Sequence, residues 1–175
     1  VSESSGTDDI SIFAGQGYLK HQLDSGENLV GGVSFYDYGN MKGNSVAGFA
    51  AKGNTLSGTT YANEFNILEA FGEYAFTVCD TPTSIYGSYV NNLGSINHSE
   101  DSGWLVGAKF NKANAPGSWE IGYNYRNIEA DAVVGCLNDV DFAGGDTNGK
   151  GHQFVYKYQL SKNMQGAITY YTDEK

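Results

Sequence analysis

Apolar and polar residues alternate along most of this chain, and the alternation stops at intervals marked by Gly, Asn, Asp and Ser. In the clearest stretch, Trp119, Ile121, Tyr123 and Tyr125 fall on one side, and Glu120, Gly122, Asn124 and Arg126 on the other. A period of two is that of a β-strand whose faces meet different surroundings. Trp104, Val106, Ala108 and Phe110 likewise oppose Leu105, Gly107, Lys109 and Asn111, and Phe154, Tyr156, Tyr158 and Leu160 oppose Gln153, Val155, Lys157 and Gln159. Sorting is weaker near 65–78, where Glu69 and Glu73 share a face with Ile67, Phe71 and Ala75. The pattern predicts eight strands, at about 10–22, 28–38, 65–78, 84–93, 102–112, 118–130, 150–160 and 164–173.

The connections between these strands alternate in length. Residues 23–27, 79–83, 113–117 and 161–163 are short links, whereas 39–64, 94–101 and 131–149 are long. Tight turns at one end and long loops at the other are the habit of an up-and-down barrel in an outer membrane. A strand of ten to thirteen residues at about 3.3 Å each, tilted by 40–45°, crosses roughly 25–30 Å. The fold expected is therefore all-β: an antiparallel up-and-down transmembrane β-barrel forming one domain over residues 1–175. The first connection is a short turn, so the first strand is expected to run inwards from outside. On that reading the chain is an internal slice of a larger barrel.

Composition narrows the choice further. Gly contributes 24 of the 175 residues and aromatics another 24, with only 2 Pro. Ten Lys and Arg against twenty Asp and Glu leave a charge of −10, and Arg126 is the single arginine. Nucleic acid needs clustered cations to displace counterions, so it is excluded as a partner. No apolar run approaches the roughly 18 residues of a membrane helix. The mean hydropathy of −0.39 is compatible with a membrane barrel, whose alternating strands average out hydrophilic. About sixteen of the acids lie in connections, termini or strand margins.

The run Gly117-Ser118-Trp119-Glu120-Ile121-Gly122-Tyr123-Asn124-Tyr125-Arg126, with Glu129-Ala130-Asp131-Ala132-Val133-Val134-Gly135 after it, resembles the putative porin family of Gram-negative outer membranes. Asp139-Val140-Asp141-Phe142, Gly144-Gly145-Asp146-Thr147-Asn148 and Gly151-His152 continue the likeness, which is strongest over 117–172. Ser84-Ile85-Tyr86-Gly87-Ser88-Tyr89-Val90-Asn91-Asn92 is similar to an earlier strand of that family. The resemblance implies an outer-membrane barrel that acts as a diffusion channel.

If apolar faces meet lipid, the opposite faces turn Lys109, Glu120, Arg126 and Lys157 towards a lumen, joined by Glu69 and Glu73 if their strand follows its charges. These six are the pore-lining candidates; a structural salt-bridge network is the alternative, because eight strands enclose only enough room for side chains. Trp104, Phe110, Trp119, Tyr158 and Tyr170 are candidates for aromatic girdles at the two membrane interfaces. The oxygen-rich 131–149 loop, with Asp139, Asp141 and Asp146, offers hard ligands of the kind Ca²⁺ takes, but Asp, Asn and Gly are also ordinary turn residues. No other cofactor is implied. Cys79 and Cys136 fall at opposite ends of the strand map, too far apart for the roughly 7 Å Cα limit of a disulfide.

No enzyme is visible. His21, His98 and His152 stand alone, and Gly43-Asn44-Ser45-Val46-Ala47 lacks the final glycine of a nucleophile elbow. Asn97-His98-Ser99 matches a glycosylation triplet without further support. The expected function is passive diffusion of small hydrophilic solutes across a bacterial outer membrane. The expected partners are outer-membrane lipid and small polar solutes, with a homo-oligomer left open. Two other readings stand beside it: a plugged structural or adhesive barrel, and a soluble ligand-binding barrel with its apolar face inward.

Overall fold

The computed structural model describes residues 9–44, 51–96 and 98–175. Residues 45–50 of the first long loop, with Ser45 to Ala47 of the elbow comparison, and Asn97 of the triplet lie outside the described residues. The strands are β1 (Ser11–Gln22), β2 (Asn28–Gly39), β3 (Leu56–Ser57), β4 (Thr60–Tyr61), β5 (Phe65–Val78) and β6 (Thr81–Asn92). They continue as β7 (Ser102–Phe110), β8 (Trp119–Ile128), β9 (Gly149–Ser161) and β10 (Met164–Glu174). Eight form one antiparallel sheet in the order β1-β2-β5-β6-β7-β8-β9-β10, each beside its predecessor along the chain. The predicted strands are thus observed with ends shifted by a few residues.

One element was not legible in the alternation. β3 and β4 form a two-residue-per-strand hairpin inside the first long loop, too short for a period of two to register. The sheet is open, with β1 and β10 as edges not paired to one another, so these strands do not by themselves close into a barrel.

Tight turns keep the up-and-down order. Between β5 and β6 only Cys79 and Asp80 intervene, at φ 48° and 61°. Positive φ at both central positions is the turn geometry that matches the right-handed twist of paired strands. The β9–β10 turn is equally short and is followed by a register shift at Met164/Gln165. All three long connections, 40–64, 93–101 and 129–148, emerge at the opposite end.

Register decides which residues share a face. One row crosses all eight strands as Lys20–Val30–Glu73–Tyr86–Gly107–Asn124–Gln153–Tyr171. A neighbouring row on the other face reads His21–Leu29–Tyr74–Ile85–Ala108–Tyr123–Phe154–Tyr170. The first row belongs to the face over which the long loops fold, here termed inner; the second belongs to the outer face. Inner Asn124 is 5% exposed, whereas outer Ile121 on the same strand is 48% exposed. The outer face is an almost continuous apolar surface, with Val33, Leu68, Val106, Tyr156 and Ile168 all exposed.

The compact apolar core is small and lies at the loop end. Met41, Tyr61, Phe65, Ile67 and Val134 are its buried members, with Tyr36, Tyr38, Val90, Val133 and Cys136 packed against them. It joins inner-face strand residues to loop residues, so its burial holds the loops onto the sheet. Among the described residues no helix is long and apolar enough to cross a membrane, which says nothing of strands.

Candidate functional site: the polar inner face and its inward-folded loop

The inner face has three zones from the loop end to the turn end. At the loop end, the 129–148 loop crosses the sheet. It leaves β8, and its Val133 and Val134 pack against Tyr36 and Tyr38 of β2, Ile67 of β5 and Val90 of β6. Buried polar side chains lock this crossing to the 51–64 segment. The Asp131 carboxylate, on a residue 4% exposed, accepts the Thr55 N–H at 2.9 Å and an Asn63 amide N–H at 2.8 Å. The Asn54 amide donates to the carbonyls of Ala130 and Val133, and its own oxygen accepts the Gly135 N–H. Asn92, from the end of β6, donates to the carbonyls of Glu64 and Asp131. The Thr147 hydroxyl hydrogen-bonds the carbonyls of Lys52 and Ala130. No buried side-chain N or O among the described residues lacks a partner.

In the middle zone, Arg126 ties the loop to the wall. Its guanidinium donates to Asp139 Oδ2 at 2.9 Å, to Gln153 Oε1 at 2.9 Å and to Asn124 Oδ1 at 3.3 Å. The Phe142 ring lies beneath it at 4.6 Å. The side chain is 11% exposed, so these bonds act with little competition from water. Glu69, across the sheet, accepts from the Tyr36 hydroxyl at 3.3 Å. Arg126→Gln is expected to lower unfolding stability by about 1.5–3 kcal/mol, the usual worth of hydrogen bonds to a charged group. It should also expose Phe142, fully buried in the fold, to chymotrypsin; unchanged cleavage would show that Arg126 does not restrain the loop.

The third zone, near the turns, holds the other lumen candidates. Lys157 Nζ meets Glu120 Oε1 at 2.8 Å, and Lys109 Nζ lies 4.9 Å above the Tyr86 ring. Two glycines keep this wall flat. A Cβ at Gly107 would come within 2.5 Å of Tyr86 Cζ, and one at Gly32 within 2.6 Å of Phe71 Cζ. Each ring therefore lies across a glycine of the adjacent strand, filling space a side chain would otherwise take. A cavity of about 530 Å³ remains in front of this zone.

All six lumen candidates, Glu69, Glu73, Lys109, Glu120, Arg126 and Lys157, share the inner face, and strand β5 follows its charges rather than its aromatics. Lys20, not singled out from the sequence, joins them by register with Val30. All five aromatic candidates are on the outer face. Trp104 stacks obliquely on Tyr125 at 5.3 Å near the loop end, while Phe110 meets Trp119 at 5.8 Å near the turn end. Trp119 is also the register partner of Tyr158, and Tyr170 lies 6.4 Å from Phe154. Tyr123, Tyr125 and His152 extend the loop-end cluster. That extension follows from the same alternation and could have been read from it.

The Ca²⁺ candidates are not brought together. Asp139 is engaged by Arg126, and Asp146 by Lys175 at 2.6 Å and Lys52 at 3.6 Å, while Asp141 is exposed. The Lys175 ammonium beside Asp146, with Lys52 adding to it, holds that carboxyl below its usual range. Among the described residues no three His, Cys, Asp or Glu side chains converge to hold a metal. The structure thus replaces the metal reading of this loop with ion pairs, for which sequence spacing carried no signal.

Both cysteines are free. Cys79 sits exposed in a tight turn, and Cys136 is half-buried in the loop, where burial pushes its thiol up. Tyr61 is 3% exposed; burial first, and Cys136 second, push its hydroxyl up to about 12. The proton is therefore held more tightly in the folded loop than in an unfolded chain. The resulting stabilisation is full below the ordinary tyrosine value near 10 and is lost as pH rises to about 12. Urea unfolding should show stability falling across that window, and Tyr61→Phe should shrink the fall, leaving the share that belongs to the Cys136 thiol; an identical profile in the variant would refute it.

The fold and its sorted faces define an all-β, up-and-down antiparallel protein with an apolar outer side and a polar inner side. The family model for putative porins matches residues 61–175. The chain belongs to that family. No curated protein and no solved structure matches it. Membership carries a porin-like role at the coarse level and points to an outer-membrane location.

Proposed function

We propose that this protein forms part of the wall of an outer-membrane channel through which small hydrophilic solutes diffuse passively. The observation that carries this reading is the sorting of faces across the long strands from β2 to β9, with every mid-strand lumen candidate inside and a broad aromatic and aliphatic surface outside. A soluble ligand-binding barrel needs the reverse arrangement, apolar inside. Strands of nine to fourteen residues have the length that crosses a bilayer when tilted.

An open edge in hydrocarbon leaves backbone N–H and C=O groups unpaired, at several kcal/mol each. The channel therefore requires further strands hydrogen-bonded to β1 and β10. Selectivity comes from the charges and amides of the inner face and from the 129–148 loop that narrows one end. No catalytic chemistry is needed: the wall supplies polar groups in place of bulk water. The test is planar-bilayer recording with the natural protein, which should give stepwise ohmic currents. A second reading, a plugged anchor, draws on the same crossing loop and its buried network, and an electrically silent protein that still inserts into bilayers would favour it.

A further inference from the structure

On the channel reading just given, the geometry points to a subsite for small zwitterionic solutes on the inner wall beside the short turns. The cavity of about 530 Å³ there is lined by Glu73, Lys109, Lys112 and Glu120, with Asn28 and Ser84 among its polar neighbours. Its volume lies within the range of small-molecule sites. Two carboxylates and two ammonium groups border it, so groups of both signs lie within reach of one bound molecule.

What distinguishes the site is which charges are already neutralised. Glu120 is taken by Lys157 at 2.8 Å. Glu73 and Lys109 both border the cavity, yet no ion pair within 4.0 Å engages either among the described residues. Their placement explains why they do not meet. Glu73 is the register partner of Tyr86, and Tyr86 of Gly107, which lies two residues before Lys109 on β7. The two charges thus start from strands separated by two spacings, roughly 10 Å. The Tyr86 ring lies between as a floor, held flat because Gly107 has no Cβ to displace it, and Lys109 sits over that ring at 4.9 Å.

A lone anion at Lys109 would face the Glu73 carboxylate, and a lone cation at Glu73 would face Lys109 and Lys112. A molecule with a carboxylate at one end and an ammonium at the other meets both with charge-assisted hydrogen bonds. Amino-acid-like zwitterions are therefore the class that this wall holds during passage.

Alanine and lactamide share one molecular formula, but only alanine is a zwitterion in neutral water. With the natural protein in planar bilayers, alanine is expected to reduce the ion current saturably, and lactamide is not. In channels that still conduct, Glu73→Gln and Lys109→Gln should each raise the half-blocking alanine concentration roughly tenfold, whereas Lys109→Arg should retain the block. Equal effects of the two solutes on the unmodified protein would overturn the subsite while leaving the channel intact, and this comparison does not depend on any variant folding. Block that persists in both Gln variants would overturn it as well. A protein that inserts but passes no current at all would bring down the channel reading and the subsite together.

Discussion

Asp131→Ala is expected to destabilise the loop end of the molecule by about 2–5 kcal/mol. The substitution removes a buried acceptor from an Asn63 amide N–H and a part-buried one from the Thr55 N–H, and takes away a carboxylate whose hydrogen bonds are charge-assisted. Each buried donor left unsatisfied costs about 1–3 kcal/mol. The Asp131 backbone carbonyl still accepts from Asn92, so the loss is that of the side chain alone. Urea unfolding in detergent measures the total, and chymotryptic cleavage within 51–64 and 129–148 localises it. Asp131→Asn keeps the shape and one acceptor oxygen, and should lose much less. If the alanine variant unfolds like the parent, the buried network does not hold the two loops together.

Val106→Lys carries the second large effect. Val106 lies at the middle of β7 on the outer face and is 52% exposed. A lysine at the bilayer midplane of a barrel costs about 2–4 kcal/mol on the lipid side. Ser88→Lys is the matched control: Ser88 is the register partner of Leu105 and so lies on the inner face at similar depth. It should cost much less than Val106→Lys, because an inner lysine keeps access to water. Folding titrations into phospholipid vesicles give both values. Equal penalties, or a larger one at Ser88, would mean that the outer face does not meet lipid.

The two predictions address different origins of order. Alternation along the chain determined the eight long strands, their antiparallel succession and the side of each strand on which Lys109, Glu120, Arg126 and Lys157 fall. Those are local properties: a period of two fixes the face of every residue once a strand forms, and Gly, Asn and Asp mark where strands stop. The sequence of the 117–172 region also carried the family resemblance that the match over 61–175 bears out. For Glu69 and Glu73 the alternation left two options, and pairing of β5 with β2 and β6 decided between them.

Tertiary structure alone decided the rest. That the 129–148 loop folds back across the inner face depends on Val133 and Val134 finding Tyr36, Ile67 and Val90, residues some forty to a hundred positions away in the sequence. Asp139, Asp141 and Asp146 look like one acidic group along the chain, yet Arg126, Lys52 and Lys175 draw two of them into separate ion pairs. The β3–β4 hairpin was too short for periodicity to show. An open sheet edge likewise leaves no trace in alternation, because backbone pairing is blind to side-chain identity. The sequence determined what each strand shows to either side; which loops, charges and edges meet there is set by long-range contacts that no local pattern encodes.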